Sequence, residues 1–258
     1  MKSFNLEGKK IVLVGATGIL GKTFTSALLN EKAELVLLDH SSSDVLSYAK
    51  ENNTHGFTLD LSDESSVIHA IKCAQDHLGD FDCIINNAAA TTEFLKSKGE
   101  IFKPFEEYSL DVWKHSLDVD LTGTFLVCRE SGKYINNGGS IINISSIYGI
   151  KGPDHRIYED QDFKSLPSYS ASKAGVIGLT KWLATWWAPK EIRVNCITPG
   201  GVYNNHNEQF LSDYSNRTPL GRMADRDELV GILLFLASNL SSYCTGQNYI
   251  VDGGYSAW

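Results

Sequence analysis

Lys10-Ile-Val-Leu-Val14-Gly15-Ala16-Thr17-Gly18-Ile19-Leu20-Gly21-Lys22 is the stretch whose reading decides the fold. A short apolar run with strand character meets three glycines set three positions apart, and a segment of helical period follows over 19–30. Gly15 permits a tight turn, Gly18 lets backbone N–H groups approach a pyrophosphate, and Gly21 lets the helix pack closely on the sheet. The helix N-terminus adds partial positive charge. The turn therefore predicts a phosphate cradle built from Gly15, Thr17, Gly18, Ile19, Leu20 and Gly21. Without a ligand the same glycines would be a packing turn of an α/β protein.

Outward from this unit, short apolar runs alternate with helix-period segments to the end of the chain. Strands are predicted over 10–14, 34–38, 55–58, 82–86, 140–145, 192–197 and 248–251. Helices are predicted over 19–30, 44–53, 64–77, 110–136, 168–187 and 225–238. This alternation implies right-handed βαβ crossovers and a parallel sheet covered on both faces. No linker, repeat or low-complexity tract divides residues 1–258, so one domain is expected. Residues 91–108 and 147–167 break the rhythm. Both follow strand ends, where open α/β sheets bind ligands, and loops of such length are usually functional or disordered.

The bulk composition narrows the function. With 258 residues, 42% of them hydrophobic, the chain has enough apolar surface for a large core. A formal net charge of −8 argues against a nucleic-acid partner, which would need a basic face. Residues 1–10 hold no signal-peptide core, and the apolar run at 229–237 is too short to span a bilayer. A cytoplasmic protein with no membrane partner is expected. Cys73, Cys83, Cys128, Cys196 and Cys244 have no metal-ligand spacing and read as reduced thiols, so no metal is expected.

Two further features carry chemistry. The second predicted strand leads into Asp39, eighteen residues after Gly21, where an acid accepts hydrogen bonds from the adenosine ribose and repels a 2′-phosphate. No Arg or Lys follows closely, which favours NAD over NADP, although Ser41, Ser42 and Ser43 could hold a 2′-phosphate instead. Near the start of the helix at 168–187, Tyr169 and Lys173 stand four apart and therefore share a face. A phenol is a poor base at neutral pH, and a neighbouring ammonium favours its ionised form. Upstream, the strand at 140–145 runs into Ser145-Ser146, which would bring a hydroxyl to the carboxyl edge of the sheet.

Together these residues resemble the short-chain dehydrogenase/reductase family in its compact single-domain branch. Asp60-Leu61, Asn86-Asn87-Ala88, Arg193-Val194-Asn195, Pro199-Gly200, Thr245-Gly246-Gln247 and Asp252-Gly253-Gly254 follow in the family's order, so the resemblance covers nearly the whole chain. It implies a Rossmann-type doubly wound parallel sheet of about seven strands in the order 3-2-1-4-5-6-7. It also implies hydride transfer between a nicotinamide and a carbinol or carbonyl carbon. In that reading Ser146, which precedes Ile147-Tyr148-Gly149, orients the substrate oxygen. Tyr169 is the acid/base, and Lys173 supports it and holds the nicotinamide ribose. Asp60 and Leu61 meet the adenine, Asn87 and Ala88 line the adenosine ribose, and Pro199, Gly200 and Val202 embrace the nicotinamide.

Three positions depart from the family. Ile19 replaces its usual glycine; Asp120 replaces a common Asn whose main-chain carbonyl serves a proton relay; Asn204 replaces a Thr at the nicotinamide carboxamide. Asp120 keeps the carbonyl, but its carboxylate could weaken the effect of Lys173. Asn204 can both donate and accept.

The spacing from Ser146 to Tyr169 is longer than the family usually shows. The added residues 150–158, with Tyr148, His155 and Arg156, are expected to wall the substrate, together with 91–103 and 203–221. Polar and aromatic walls suit a carbohydrate-like substrate, and the insert is similar to that of members linked to bacterial surface-sugar or flagellin-glycan synthesis. Reduction of acyl or lipid-derived ketones, and a non-catalytic cofactor-binding scaffold, are the competing readings. The resemblance further implies a homotetramer or homodimer.

Overall fold

The computed structural model describes residues 4–40, 44–90, 92–96, 102–158 and 164–258. Among them, β1 (Lys10–Val14), β2 (Glu34–Asp39), β3 (His55–Thr58), β4 (Phe81–Asn86), β5 (Ile135–Ile144), β6 (Arg193–Pro199) and β7 (Asn248–Val251) form one sheet. Every pairing is parallel and the order is β3-β2-β1-β4-β5-β6-β7, as the sequence predicted. The order reverses between β1 and β4, so the connections leaving Val14 and Asn86 diverge and open a crevice at the carboxyl edge.

The helices are α1 (Ile19–Asn30), α2 (Val45–Glu51), α3 (Glu64–Leu78), α4 (Thr92–Lys96), α5 (Leu110–Leu117), α6 (Gly123–Ser131), α7 (Pro167–Trp186), α8 (Glu208–Ser215) and α9 (Val230–Ala237). Alternate strand residues face opposite layers because the side-chain period of a strand is two. From β1, Val12 and Val14 join the layer of α3, α6 and α7, whereas Ile11 and Leu13 join that of α1, α2 and α9. Both faces are covered, which is why the strands read as continuous apolar runs.

The predicted helix over 110–136 does not exist as one element. It is α5, a π-helical turn at Asp118–Thr122 and α6, after which the chain turns at Gly132 and enters β5. A Cβ on Gly132 would stand 2.5 Å from the Trp187 ring, so packing against α7's end fixes the exit. Trp187 is buried in the core, while Trp182 and Trp186 lie exposed and stacked on α7. The helix predicted over 225–238 begins instead as a tighter turn at Arg226–Leu229, held by a capping box between Asp225 and Glu228. Segments read as loops carry structure: α4 in 91–108, short 3-10 turns Ile147–Gly149 and His155–Tyr158 in the insert, and α8 in 203–221. No helix among the described residues is long and apolar enough to cross a membrane, and no cluster there could hold a metal.

Candidate active site

The glycine turn is shaped by sterics that can be named. Gly15 has φ +79°, and a Cβ on it would lie 2.5 Å from the Ala88 nitrogen. A Cβ on Gly21 would lie 2.1 Å from the Gly15 carbonyl oxygen. Gly18 is different: its nearest neighbour to a Cβ is 3.6 Å away, so the protein itself does not demand glycine there. The space it leaves is open to the cleft, at a helix start with no side-chain cap over its N–H groups. That is a cradle fitted to a phosphate. Ile19, partly exposed, and Leu20 both line the same cleft.

Asp39 at the end of β2 ties the turn in place. One carboxylate oxygen accepts from Thr17 N at 2.7 Å and from Thr17 Oγ1 at 2.6 Å; the other accepts from His40 N at 2.7 Å. Asn87 closes the opposite side, donating Nδ2 to the Gly15 carbonyl at 2.8 Å. Asp60 accepts from Ser62 and faces His40, while Leu61 and Ala88 complete the wall. The serines at 41–43 lie outside the described residues.

Farther along the same cleft, of about 800 Å³, stand Ser146, Tyr169 and Lys173. Lys173 is buried; its Nζ donates to the Ile144 carbonyl at 3.1 Å and lies 5.6 Å from the centroid of the Tyr169 ring. Ser146 Oγ accepts from Tyr148 N at 3.2 Å. Ser145 also lines the cleft, but its hydroxyl donates to the Lys173 carbonyl at 2.8 Å. A Cβ on Gly149 would stand 2.7 Å from Lys173 carbon, so glycine is needed for the turn after Ser146 to lie on α7. Pro199, Gly200 and Val202 line the wall beyond β6.

Four expected residues are not on this wall. Asp120 is fully buried behind it: Oδ1 accepts from Ala90 N at 2.6 Å, and Oδ2 stands 3.1 Å from Ser172 Oγ. It makes no ion pair with Lys173, because both its oxygens are turned to other partners. Asn204 is exposed, its backbone N–H meeting His206 Nδ1, and the cleft is lined by His206 instead. Burial pushes the His206 ring below the usual histidine range, which favours its uncharged form. Arg156 is exposed with its guanidinium on Asp154, at 2.8 and 2.7 Å, and His155 is exposed beside it. The insert does reach the cleft, but through Tyr158.

Tyr158 bonds Tyr148 hydroxyl to hydroxyl at 2.6 Å, and Phe210, Tyr214 and Met223 extend this wall. Burial pushes the Tyr158 phenol up to about 12 and Tyr148 higher still, so both are neutral hydrogen-bonding groups. Phe210 and Tyr214 stand four apart on α8, a helical spacing inside a segment taken for loop; that was the available signal.

A parallel sheet with a phosphate cradle at its switch point, and a Tyr–Lys pair on the neighbouring helix, defines a nucleotide-dependent oxidoreductase site. Comparison with known proteins agrees. A family model described as enoyl-(acyl carrier protein) reductase matches residues 15–256. The 3-oxoacyl-[acyl-carrier-protein] reductase FabG of Aquifex aeolicus is 31% identical, covering 96% of this chain and 98% of its own. D-arabinitol 2-dehydrogenase (ribulose-forming) of Candida albicans is 31% identical over 99% of this chain and 95% of its own. A crystal structure of a short chain dehydrogenase from Leptospira borgpetersenii with bound NAD+ superposes with a TM-score of 0.85 at 32% identity, covering 99% of this chain and 96% of that one. The chain belongs to the short-chain dehydrogenase/reductase family, and is an oxidoreductase acting on CH–OH groups with a nicotinamide cofactor.

Proposed function

We propose that this enzyme interconverts a secondary alcohol and its ketone on a small polar, carbohydrate-like substrate, with NAD(H) as preferred cofactor. The observation that carries the substrate class is the hydroxyl wall. Tyr148 and Tyr158 present paired phenols beside Ser146, in a cleft that also holds Tyr169 and His206. Several directional polar partners on an aromatic surface suit a polyol or a hydroxylated ring. D-arabinitol 2-dehydrogenase is a relative whose named substrate is of that kind.

The NAD preference rests on Asp39. Asp39 stands at the end of β2 beside the glycine turn, its carboxylate accepting from Thr17 and His40, and a 2′-phosphate brought to that strand end would meet its negative charge. The cradle around Gly15 and Gly18 fits the pyrophosphate; Asp60, Leu61, Asn87 and Ala88 would hold the adenosine half, and Tyr169, Lys173, Pro199, Gly200 and Val202 the nicotinamide half. When bound, the nicotinamide supplies or takes the hydride. Tyr169 gives or receives the proton at the substrate oxygen. Lys173 brings the positive charge that stabilises the ionised phenol. Ser146 accepts the Tyr148 N–H, so its own hydrogen is left to bond the substrate oxygen and orient it. Residues 1–258 would act as one catalytic domain, and self-association is expected from the family.

A second reading is reduction of an acyl-derived ketone. Leu95, Leu166, Phe210 and Met223 make part of the cleft apolar, and the FabG relative's name fits that chemistry. The test is initial-rate assay of sugar alcohols and cyclic secondary alcohols with NAD+ and NADP+, beside a 3-oxoacyl thioester with NADH and NADPH. Turnover of polyols with NAD+ supports the proposal; selective turnover of the thioester replaces it. Binding of cofactor with no turnover by either the wild type or Tyr169→Phe would point to a scaffold.

A further inference from the structure

Asp120 is an acid in a place where an anion is poorly supported. Its side chain has no exposure to solvent. Around it stand the end of β4, the π-helical turn that carries it, α5 and α7. The ionisable groups felt by its carboxyl, among the described residues, are Lys173 from α7 and His115 from α5. Lys173 donates to the Ile144 carbonyl instead of forming an ion pair with it. Among the described residues, the direct partners of Asp120 are one backbone N–H, from Ala90, and one hydroxyl, from Ser172.

The hydrogens available around Ser172 bear on the protonation state. Ser172 Oγ lies 2.9 Å from the Tyr169 carbonyl and 3.1 Å from Asp120 Oδ2, yet it has a single hydrogen to give. If Asp120 is ionised, only one of these contacts is a hydrogen bond, and the other brings two acceptors together. If Asp120 carries a proton on Oδ2, every atom is used: Ala90 N–H to Oδ1, Oδ2–H to Ser172 Oγ, and Ser172 O–H to the Tyr169 carbonyl. Burial acts in the same direction, raising the carboxyl above its ordinary range against the opposing pull of Lys173.

We infer that Asp120 is a neutral carboxylic acid at working pH and acts as a positioning residue, clasping the cleft segment at Ala90 to the helix that carries Tyr169 and Lys173. Its proton is what makes the clasp complete. Because it carries no charge, it draws nothing from Lys173, so the enzyme keeps the lysine's full field on Tyr169 despite an acidic residue behind it. The inference depends on the roles proposed for Tyr169 and Lys173 only in its kinetic readout; the spectroscopic and stability readouts stand without them.

The experiment compares wild type, Asp120→Asn, Asp120→Ala and Ser172→Ala. Difference infrared spectra of wild type minus Asp120→Asn at neutral pH should contain the carbonyl stretch of a protonated carboxylic acid. In Ser172→Ala that band should move to higher frequency, since the acid proton loses its acceptor. The stability comparison has a defined sign. A carboxyl raised in the folded state stabilises fully below its unfolded value, and that advantage is lost as pH rises toward the folded value. The melting temperature of Asp120→Asn should therefore climb relative to wild type between about pH 4 and about pH 7. An Asn amide can reproduce the clasp, so Asp120→Asn should restore at least tenfold in kcat over Asp120→Ala, a gap of about 1.4 kcal/mol. Absence of the acid band, or a melting difference flat with pH, overturns the inference even if turnover is normal. Asp120→Asn no better than Asp120→Ala overturns it from the kinetic side, by showing that a carboxylate is required. Loss of polyol turnover in wild type leaves the first two readouts decisive and counts only against the proposed function.

Discussion

The two halves of the cleft are held by different kinds of force. The cofactor half is backbone packed close on backbone, with two short side-chain ties to it: Gly21 under the Gly15 carbonyl, Gly15 against Ala88, the Asn87 amide on the Gly15 carbonyl and the Asp39 carboxylate on Thr17. The substrate half is held by long side chains that reach other side chains and backbone carbonyls across the fold. Tyr148 meets Tyr158, Arg217 bonds Asp154 in the insert, and Lys151 holds the carbonyls of Tyr255 and Trp258 at 3.1 and 2.9 Å. Trp258 in turn donates its indole N–H to the Arg217 carbonyl. The insert is thus latched to the loop after α8 and to the C-terminal residues. A half made of backbone contacts tolerates almost no change in residue type. A half made of side-chain contacts can be retuned, and that is where substrate choice can vary while the cofactor site stays fixed.

This contrast can be broken or sharpened by substitution. The largest effects should come from the cofactor half and the residues beside it. Tyr169→Phe should cut kcat by about a thousandfold while leaving cofactor affinity, read by titration calorimetry, almost unchanged. Gly21→Ala forces a Cβ into the Gly15 carbonyl and should cost about 3 kcal/mol in denaturant unfolding, with cofactor binding abolished. Asp39→Ala comes next. Losing a charged acceptor should weaken NAD(H) by about 2 kcal/mol and narrow the gap to NADP(H) in the same calorimetric titration.

On the substrate side the changes should be smaller and should fall on KM. Asp154→Asn loosens the insert, so KM for the alcohol should rise several-fold with kcat little altered. Arg156 and Arg217 hold the Asp154 carboxyl well below the ordinary range. A depressed acid contributes stability above its unfolded value and loses it as pH falls through the folded value. The melting-temperature advantage of wild type over Asp154→Asn should therefore be present at neutral pH and fade under strong acid. Arg156→Ala is the smallest test. Its exposed ion pair should be worth under about 1 kcal/mol, and KM should not change; a large rise in KM would mean that Arg156 swings into the cleft and that the sequence expectation was right.

The sequence disclosed the cofactor half well because its determinants are local. Glycines at 15, 18 and 21 and an acid at 39 report backbone geometry directly, and Tyr169 and Lys173 share a face by helical period alone. Where the reading failed, the cause was distance. Nothing near Asp120 in sequence reveals that Ala90 and Ser172 close over it. Arg156 is a different case: its partner Asp154 is only two residues away, but that a pairing so local would hold the guanidinium away from the expected substrate wall is decided by how the insert folds. Helix periodicity ran on past residue 131 because the signal to stop is the packing of Gly132 on Trp187, which no local pattern records.

By itself, then, the sequence determined a parallel sheet, the phosphate turn and the chemical pair on α7, since each follows from short-range sterics or from period, while the strand order came with the family resemblance. Tertiary structure alone decided that His206 and Tyr158, and neither Asn204 nor Arg156, face the cleft, and that Asp120 lies sealed behind it. Those outcomes depend on which donors and acceptors meet across the fold. A buried acid's state is set by the few groups that replace its water, and they are chosen by packing.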